Sequence, residues 1–137
     1  TKRVLLITED DALLRGTLRD SLKDEGFDVL EAPNGTEGLH TAKSEHPDLV
    51  LLDIMLPEMD GLTVLAELRN DISWGKSVPV ILLTNLSPDD ERINNAITMY
   101  EPAYYLMKSN TPLALMVEKI KERLSRSPSS DGLSENA

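Results

Sequence analysis

Hydrophobic and polar residues alternate along this chain with two different spacings, and the change of spacing predicts where strands and helices lie. Several short runs are rich in aliphatic and β-branched residues, as buried strands are. A weaker run follows Gly26, where a glycine would end the preceding helix. We predict strands over Val4 to Thr8, Phe27 to Ala32, Leu49 to Leu52, Val78 to Thr84 and Ala103 to Met107, with the second at an edge of the sheet.

Between these runs, apolar residues recur at the spacing of an amphipathic helix. The helical stripes are Leu14, Leu18 and Leu22; Leu39 and Ala42; Leu62, Leu65 and Leu68; Ile93, Ala96, Ile97 and Tyr100; and Leu113, Met116, Val117, Ile120 and Leu124. Strands that alternate with helices and are apolar on both faces form a parallel sheet covered on each side. The chain is therefore predicted to be an α/β protein, a three-layer sandwich around a doubly wound sheet.

The composition changes near the C-terminus. From Ser125 the chain loses its apolar periodicity and becomes rich in serine, a composition that cannot offset the entropy of ordering. We predict one domain over residues 1–126 and, over 127–137, a flexible tail or the start of a linker to a further domain.

Composition narrows the class of protein. Lys and Arg number 14 and Asp and Glu number 24, so the formal net charge is −10, which disfavours direct contact with DNA or RNA. The chain has no cysteine, which excludes disulfides and thiolate metal sites. Its apolar runs are only as long as a strand, and no secretory signal precedes the first one. A cytoplasmic protein without membrane spans is expected.

Polar side chains gather where the predicted strands end. In an open parallel sheet the carboxyl ends of the strands line the functional crevice. The residues placed there are Glu9, Asp10, Asp11, Asp53, Thr84 and Lys108. The acids after the first strand could simply cap the following helix. Asp53 is different, because it directly follows a buried run and a carboxylate there is costly without a cation.

Two cations, a bound metal ion and a lysine, could balance the negative charge of these carboxylates. Clustered hard oxygens favour Mg²⁺, and Lys108 provides a fixed ammonium. A metal beside a carboxylate, a lysine and a hydroxyl is suited to phosphoryl transfer, with Asp53 as the acceptor.

The sequence around these residues resembles bacterial two-component response regulators, in particular stand-alone, chemotaxis-regulator-like receiver domains. The resemblance rests on Asp53-Ile54-Met55-Leu56-Pro57-Glu58-Met59-Asp60-Gly61 together with Glu9-Asp10, Thr84, Tyr105 and Lys108, and it covers residues 2 to about 126. It implies a flavodoxin-like fold with strand order 2-1-3-4-5. It also implies a phosphoaccepting switch that turns over no separate substrate.

The resemblance assigns roles to individual residues. Asp53 would be phosphorylated by a histidine kinase or a histidine phosphotransfer protein. Mg²⁺, or Mn²⁺ in its place, would be bound by Asp10, by Asp53 and by the backbone carbonyl of Met55, with Glu9 acting through water.

The same resemblance implies how the signal would be read. Lys108 would pair with the phosphoryl group, Thr84 would donate its hydroxyl to it, and Tyr105 would follow Thr84 inward. This shift would switch the face formed by the fourth helix, fifth strand and fifth helix, where an unidentified downstream protein would bind. A monomer or a weak homodimer is compatible with that face.

A docking surface for the phosphodonor is predicted on the first helix. Leu13 falls off the apolar stripe of that helix and should be partly exposed. With Asp11, Thr17 and the loop containing Pro112, it resembles the receiver surface that meets a histidine-bearing helical bundle. The alternative is an isolated surface leucine.

Some positions depart from the receiver pattern. Ser109 stands where a proline with a cis peptide usually aims the lysine, so either the peptide is trans and Lys108 is aimed differently, or a strained bond is retained. Asn85 replaces a small residue and could narrow the route to Asp53. Glu101-Pro102 replaces the glycine usual before the fifth strand.

Met55 and Leu86 occupy two variable positions that modulate hydrolysis in receivers. Because both are apolar and cannot orient a water molecule, we expect a long-lived acyl phosphate. Elsewhere, His40 and His46 are predicted to be exposed, and Trp74 to cover the core beneath the third helix.

Other classes of function remain open. The chain could be a phosphorylation-independent module with a receiver-like fold, although the intact acidic, hydroxyl and lysine positions argue against this. It could also be the receiver fragment of a longer regulator or hybrid kinase. A metal-dependent hydrolase is disfavoured, because no long insertion could enclose a substrate.

Overall fold

The computed structural model describes residues 2–7, 12–56, 59–71, 74–85 and 90–125, with strands and helices in strict alternation. The strands are β1 (Arg3–Ile7), β2 (Asp28–Ala32), β3 (Leu49–Asp53), β4 (Val80–Thr84) and β5 (Tyr104–Met107). The helices are α1 (Ala12–Asp24), α2 (Gly35–Glu45), α3 (Gly61–Arg69), α4 (Glu91–Tyr100) and α5 (Leu113–Leu124), with a 3₁₀ turn over Lys108–Asn110. All five predicted strands and helices are therefore confirmed, with small shifts at their ends.

The five strands form one parallel sheet in the order β2-β1-β3-β4-β5. This confirms the doubly wound, flavodoxin-like architecture and places β2 at an edge. β3 lies at the centre, and all five of its residues are buried. A strand in that position has neighbours on both sides and helices on both faces, which explains why its sequence is a continuous apolar run.

Alternate residues of each strand point to opposite faces of the sheet and build two cores. On one face Leu5, Val50 and Leu82 pack with residues of α2, α3 and α4. On the other face Leu6 and Leu51 pack with residues of α1 and α5. The three predicted layers are thus α1 and α5, the sheet, and α2 to α4.

Three helices are followed by a residue in the left-handed region, which is Gly26 after α1, His46 (φ 47°) after α2 and Glu101 after α4. After α1, Gly26 has φ 95°, its N–H donates to the carbonyl of Lys23, and the N–H of Phe27 donates to that of Leu22, which together form a Schellman motif. The predicted role of Gly26 is confirmed. After α4, Glu101 takes φ 45° in the same role without being glycine.

Arg69, the last residue of α3, holds this end of α4. Its guanidinium donates to the carbonyl oxygens of Tyr100, Gly75, Val78 and Glu101 at 2.7, 2.8, 2.8 and 3.3 Å. Burial lowers the pKa of Arg69, and the charge of Glu101 acts in the opposite direction. The side chain remains a cation at neutral pH, because an arginine has an ordinary pKa far above that range. Arg69 therefore compensates the unusual backbone of Glu101 by binding its carbonyl.

Side chains on the helical stripes are buried largely as predicted. Ile97 is the exception in α4, because that helix turns Ile93 and Ala96 into the core and leaves Ile97 38% exposed. His40 and His46 are exposed as predicted, and the His46 ring stacks on Trp74 at 4.7 Å. Trp74 packs against the core beneath α3, also as predicted. Over the described ranges, no helix is both long and apolar enough to cross a bilayer.

Candidate functional site

The site is built where β3, β4 and β5 end side by side. Asp53 is the last residue of β3, Thr84 is the last residue of β4, and Lys108 directly follows β5. The sheet register pairs Asp53 with Leu83 and Thr84 with Met107, so the three strand ends are level with one another. Parallel pairing therefore brings Asp53, Thr84 and Lys108 to the same edge of the sheet.

Asp53 carries the central carboxylate. Its side chain is only 1% exposed, and its Oδ2 lies 2.6 Å from the Nζ of Lys108. Its Oδ1 accepts a hydrogen bond from the backbone N–H of Met55 at 3.2 Å. An ammonium at this distance favours the charged form of a carboxylate, which is the nucleophilic form.

The loop after Asp53 is held close to the end of β3 by Gly61. The Gly61 N–H donates to the carbonyl of Ile54 at 2.8 Å. A Cβ at Gly61 would lie 2.2 Å from the carbonyl oxygen of Asp53, so only glycine fits there without movement. Asp60 caps α3 by accepting from the N–H of Thr63 at 2.9 Å. Tight packing of α3 against β3 therefore fixes the backbone that carries Asp53.

Thr84 and Tyr105 lie on the neighbouring strands. Thr84 is fully buried at the end of β4. Tyr105 pairs with Leu82 in the register and packs against the core on the α2 to α4 face. Burial raises the pKa of the Tyr105 phenol, and the negative charge of Asp90 adds to the shift. Both side chains already point toward the layer that contains α4.

The Lys108–Ser109 peptide is trans. Lys108 nevertheless reaches Asp53, because β5 ends at the same edge of the sheet as β3 and the long lysine side chain extends across the end of β4, which lies between them. Of the two alternatives weighed from the sequence, the trans peptide is the one observed, and it does not remove the lysine from the acid. The Ser109 N–H donates to the Oδ1 of Asn85 at 3.1 Å.

The chemistry of Asp53 fits a divalent cation of the Mg²⁺ type, since its carboxylate offers hard oxygen ligands at a buried position. Glu9 and Asp10, the other predicted acidic ligands, lie outside the described residues, as do Asp11 and Leu86. Among the residues that are described, no group of three or more His, Cys, Asp or Glu side chains comes together. The role of the Met55 carbonyl in metal binding stays a prediction.

The three predicted docking residues that the structure describes, Leu13, Thr17 and Pro112, lie on the surface. Leu13 is 80% exposed, and Thr17 and Pro112 are exposed as well. The hydroxyl of Thr17 donates to the carbonyl of Leu13, one helical turn away, so both residues lie on one side of α1. Their use by a partner stays a prediction.

Comparison with known proteins identifies the family. A family model described as the response regulator receiver domain matches residues 5–120. The chain belongs to the response regulator receiver domain family. Receiver domains are parts of two-component signalling systems, where they interact with histidine kinases and downstream effectors and generally bind Mg²⁺. The family is one of signalling domains, not of enzymes that turn over a substrate.

Relatives of this receiver domain include longer proteins. The probable transcriptional regulator ycf27 of Porphyridium aerugineum is 34% identical over 134 residues, covering 96% of this chain and 53% of the relative. The response regulator MprA of Mycolicibacterium vanbaalenii is 35% identical over 135 residues, covering 97% of this chain and 55% of the relative. The chain thus spans about half the length of these relatives.

Solved receiver structures share the fold. A CheY-like receiver domain protein from Methanospirillum hungatei matches with a TM-score of 0.79 and 27% identity, covering 90% of this chain and 94% of that one. The BeF3-activated N-terminal receiver domain of Klebsiella pneumoniae RstA matches with a TM-score of 0.76 and 31% identity, covering 91% and 100%.

Sequence reasoning missed two features of this region. Sequence reasoning treats Asn85 and Ser109 as separate departures and does not predict their contact, although Asn85 directly follows β4 and Ser109 is the second residue after the adjacent strand β5. Arg69 was not singled out at all. A lone arginine closing an otherwise largely apolar helix was the available signal for it.

Proposed function

We propose that this receiver domain is a phosphoaccepting switch in which Asp53 receives a phosphoryl group. The observation that carries the proposal is the buried Asp53 carboxylate with the Lys108 ammonium 2.6 Å away. A charged acid at the crevice of a parallel sheet, beside a fixed cation and a hydroxyl residue, has the groups that phosphoryl transfer needs.

In the proposed step, a carboxylate oxygen of Asp53 attacks the phosphorus of the donor in line with the leaving group. The new bond is the O–P bond of an acyl phosphate. The bond that breaks is the P–N bond of a phosphohistidine or the P–O bond of a small phosphodonor, and the leaving group keeps the electron pair. Lys108 neutralises charge on the phosphoryl oxygens, which it can do because its Nζ already lies at the carboxylate.

A Mg²⁺ ion, or Mn²⁺, would be held by Asp53 together with Glu9, Asp10 and the carbonyl of Met55. Bound there, the ion would supply charge neutralisation between the acid cluster and the incoming phosphoryl group. The residues of the chain then have separate tasks. Asp53 is the acceptor, and the Met55 N–H holds one of its oxygens in place.

The proposed readout passes from Thr84 to Tyr105 and then to the face of α4, β5 and α5. The Thr84 hydroxyl would bind the phosphoryl group, and Tyr105 would move in the same direction. Ile97 and Leu115 expose apolar surface on this face, at 38% and 41%. That surface supports binding of a downstream protein whose affinity depends on the state of the switch.

The donor would dock on the side of α1. Leu13 is a large, 80% exposed apolar side chain, which supports its use as a contact for the helical bundle of a histidine kinase or histidine phosphotransfer protein. Thr17 and Pro112 are proposed to flank this contact, together with Asp11.

The proposal is tested by the intact mass of the purified chain after incubation with acetyl phosphate and Mg²⁺. We expect an adduct of one phosphoryl group that is absent after chelation and absent from Asp53→Asn. Asp60→Asn is the matched control, because Asp60 lies in the same loop and asparagine retains its capping function. Absence of the adduct from the unaltered chain would contradict the proposal and favour a phosphorylation-independent module.

A second candidate concerns the protein to which this domain belongs. Because the chain spans about half of relatives described as regulators, it could be the receiver of a longer regulator whose output lies in another domain. A net charge of −10 argues against DNA contact by these 137 residues themselves. Determining the full coding sequence separates this candidate from a stand-alone receiver.

A further inference from the structure

One contact joins the two loops that flank the site. The backbone N–H of Ser109 donates to the side-chain Oδ1 of Asn85 at 3.1 Å. The β4–β5 ladder ends at the pair of Thr84 and Met107, and Asn85 and Ser109 lie just beyond it. The contact therefore extends the connection between these strands past the edge of the sheet.

The contact fixes the backbone on both sides of Lys108. Met107 is held by the ladder with β4, and Ser109 is held by Asn85. Lys108 lies between them, and its side chain is only 17% exposed. Lysine side chains lose much rotamer freedom when they are fixed, so a rigid starting point lowers the cost of holding Nζ on Asp53.

The contact needs a backbone N–H at position 109 and a side-chain acceptor at position 85. A proline at position 109 would have no N–H to donate, and a glycine or alanine at position 85 would have no side-chain acceptor. The donor and the acceptor therefore depend on each other, and neither residue forms the contact alone.

We infer that Asn85 is a positioning residue for phosphoryl transfer, which acts by holding the trans Lys108–Ser109 turn so that Lys108 stays at Asp53. This inference rests on the proposed function. The competing explanation is steric: Asn85 follows Thr84 at the mouth of the site and could only narrow the approach to Asp53.

Two substitutions separate these explanations. Asn85→Leu keeps the bulk and removes the acceptor, whereas Asn85→Ala removes both. If Asn85 positions Lys108, both variants slow phosphorylation by acetyl phosphate at saturating donor, by about five-fold for the loss of one hydrogen bond. The half-saturating donor concentration changes little, because Lys108 acts on charge that develops during transfer. Asn110→Ala is the control, since its exposed side chain is in the same turn and bonds only Met107 among the described residues.

Two further readouts test the mechanism itself. Amide hydrogen exchange, followed by NMR, should show Ser109 protected in the unaltered chain and unprotected in both Asn85 variants. In a Lys108→Ala background, Asn85→Ala should cause no further loss of rate, because the residue acts through the lysine.

The inference is overturned if Asn85→Ala speeds phosphorylation while Asn85→Leu matches the unaltered chain, which is the steric result. It is also overturned if Ser109 exchange is unchanged in the variants, or if the effects of Asn85→Ala and Lys108→Ala multiply. Failure of the proposed function is recognised separately, because the unaltered chain would then form no adduct. The role of Asn85 would fail with it.

Discussion

The Nζ of Lys108 and the Oδ2 of Asp53 lie 2.6 Å apart although 55 residues separate them in the chain and the peptide after Lys108 is trans. The carboxylate is almost fully buried and the lysine largely so. A buried ion pair of this kind leaves an uncompensated charge when one partner is removed.

Lys108→Ala should therefore lower the free energy of unfolding by about 2 kcal/mol, because it leaves the buried Asp53 carboxylate without its cation. The double variant Asp53→Asn/Lys108→Ala should regain most of this loss, since the remaining amide is neutral. Urea unfolding followed by Trp74 fluorescence measures both. Trp74 stacks on His46, which precedes β3, so it lies toward the amino ends of the strands, whereas the site lies at their carboxyl ends. Equal stability of the two variants would contradict the prediction.

Gly61→Ala should destabilise the domain by about 3 kcal/mol or more, because the new Cβ would collide with backbone atoms of Asp53 and Ile54. Gly16→Ala is the matched control. Its Cβ would meet only the end of the Arg19 side chain at an ordinary 3.6 Å, and alanine favours the helix by about 1 kcal/mol. Opposite signs for the two variants in urea unfolding are expected. A neutral Gly61→Ala would show that α3 can move away from β3.

Arg69→Met should cost about 3 kcal/mol, because backbone carbonyls from two segments lose their donor in a half-buried position. Arg69→Lys should recover only part of the loss, since an ammonium cannot span the same carbonyls as the planar guanidinium. Arg92→Met in α4 removes a much more exposed arginine and should change stability by less than about 0.5 kcal/mol. Similar losses in Arg69→Met and Arg92→Met would contradict this role of Arg69.

The stability of the domain should fall as pH rises above 10.0, partly through Tyr105. Burial, with the nearby Asp90, raises the pKa of Tyr105 above 10.0 in the folded state. The unfolded chain loses that proton first, so the contribution of Tyr105 is complete below 10.0 and is lost as pH rises through the folded pKa. Tyr105→Phe should make the fall of the free energy of unfolding with pH shallower. Tyr100→Phe should leave this fall as steep as in the unaltered chain. Denaturant unfolding across this pH range measures the difference, and identical slopes would exclude Tyr105 as the cause.

The acyl phosphate should decay slowly, because the exposed Met55 side chain offers no group to orient water. Met55→Asn should shorten its lifetime roughly ten-fold by adding a hydrogen-bonding group beside Asp53. Met99 is also exposed but lies on α4, so Met99→Asn should leave the lifetime of the acyl phosphate unchanged. The measurement is loss of the adduct by intact mass after removal of the donor. Rapid decay in the unaltered chain would contradict the hypothesis.

The sequence predicts much of the fold and the core of the site, because both depend on local patterns. Apolar runs locate the strands, and the ends of parallel strands must share one edge, so Asp53, Thr84 and Lys108 could be placed together in advance. Contacts between residues of two different loops are harder to predict from the sequence. The contact of Asn85 with Ser109 depends on the conformation of two loops, which no periodicity encodes.

Arg69 shows the same limit. Its charge predicts a surface position, and only the packing of the α3–β4 loop against the end of α4 brings carbonyls from both around its guanidinium. The exposure of Ile97 also depends on packing, because a rotation of α4 decides which apolar residues of its stripe reach the core.

The most direct test of the central claim is to locate the phosphoryl group. The chain is incubated with acetyl phosphate and Mg²⁺, reduced with borohydride to convert an aspartyl phosphate into homoserine, digested, and sequenced by mass spectrometry. We predict homoserine at position 53 alone, with none formed after chelation or in Asp53→Asn. Homoserine at another acidic position, or at none, would contradict the assignment of Asp53 as the acceptor.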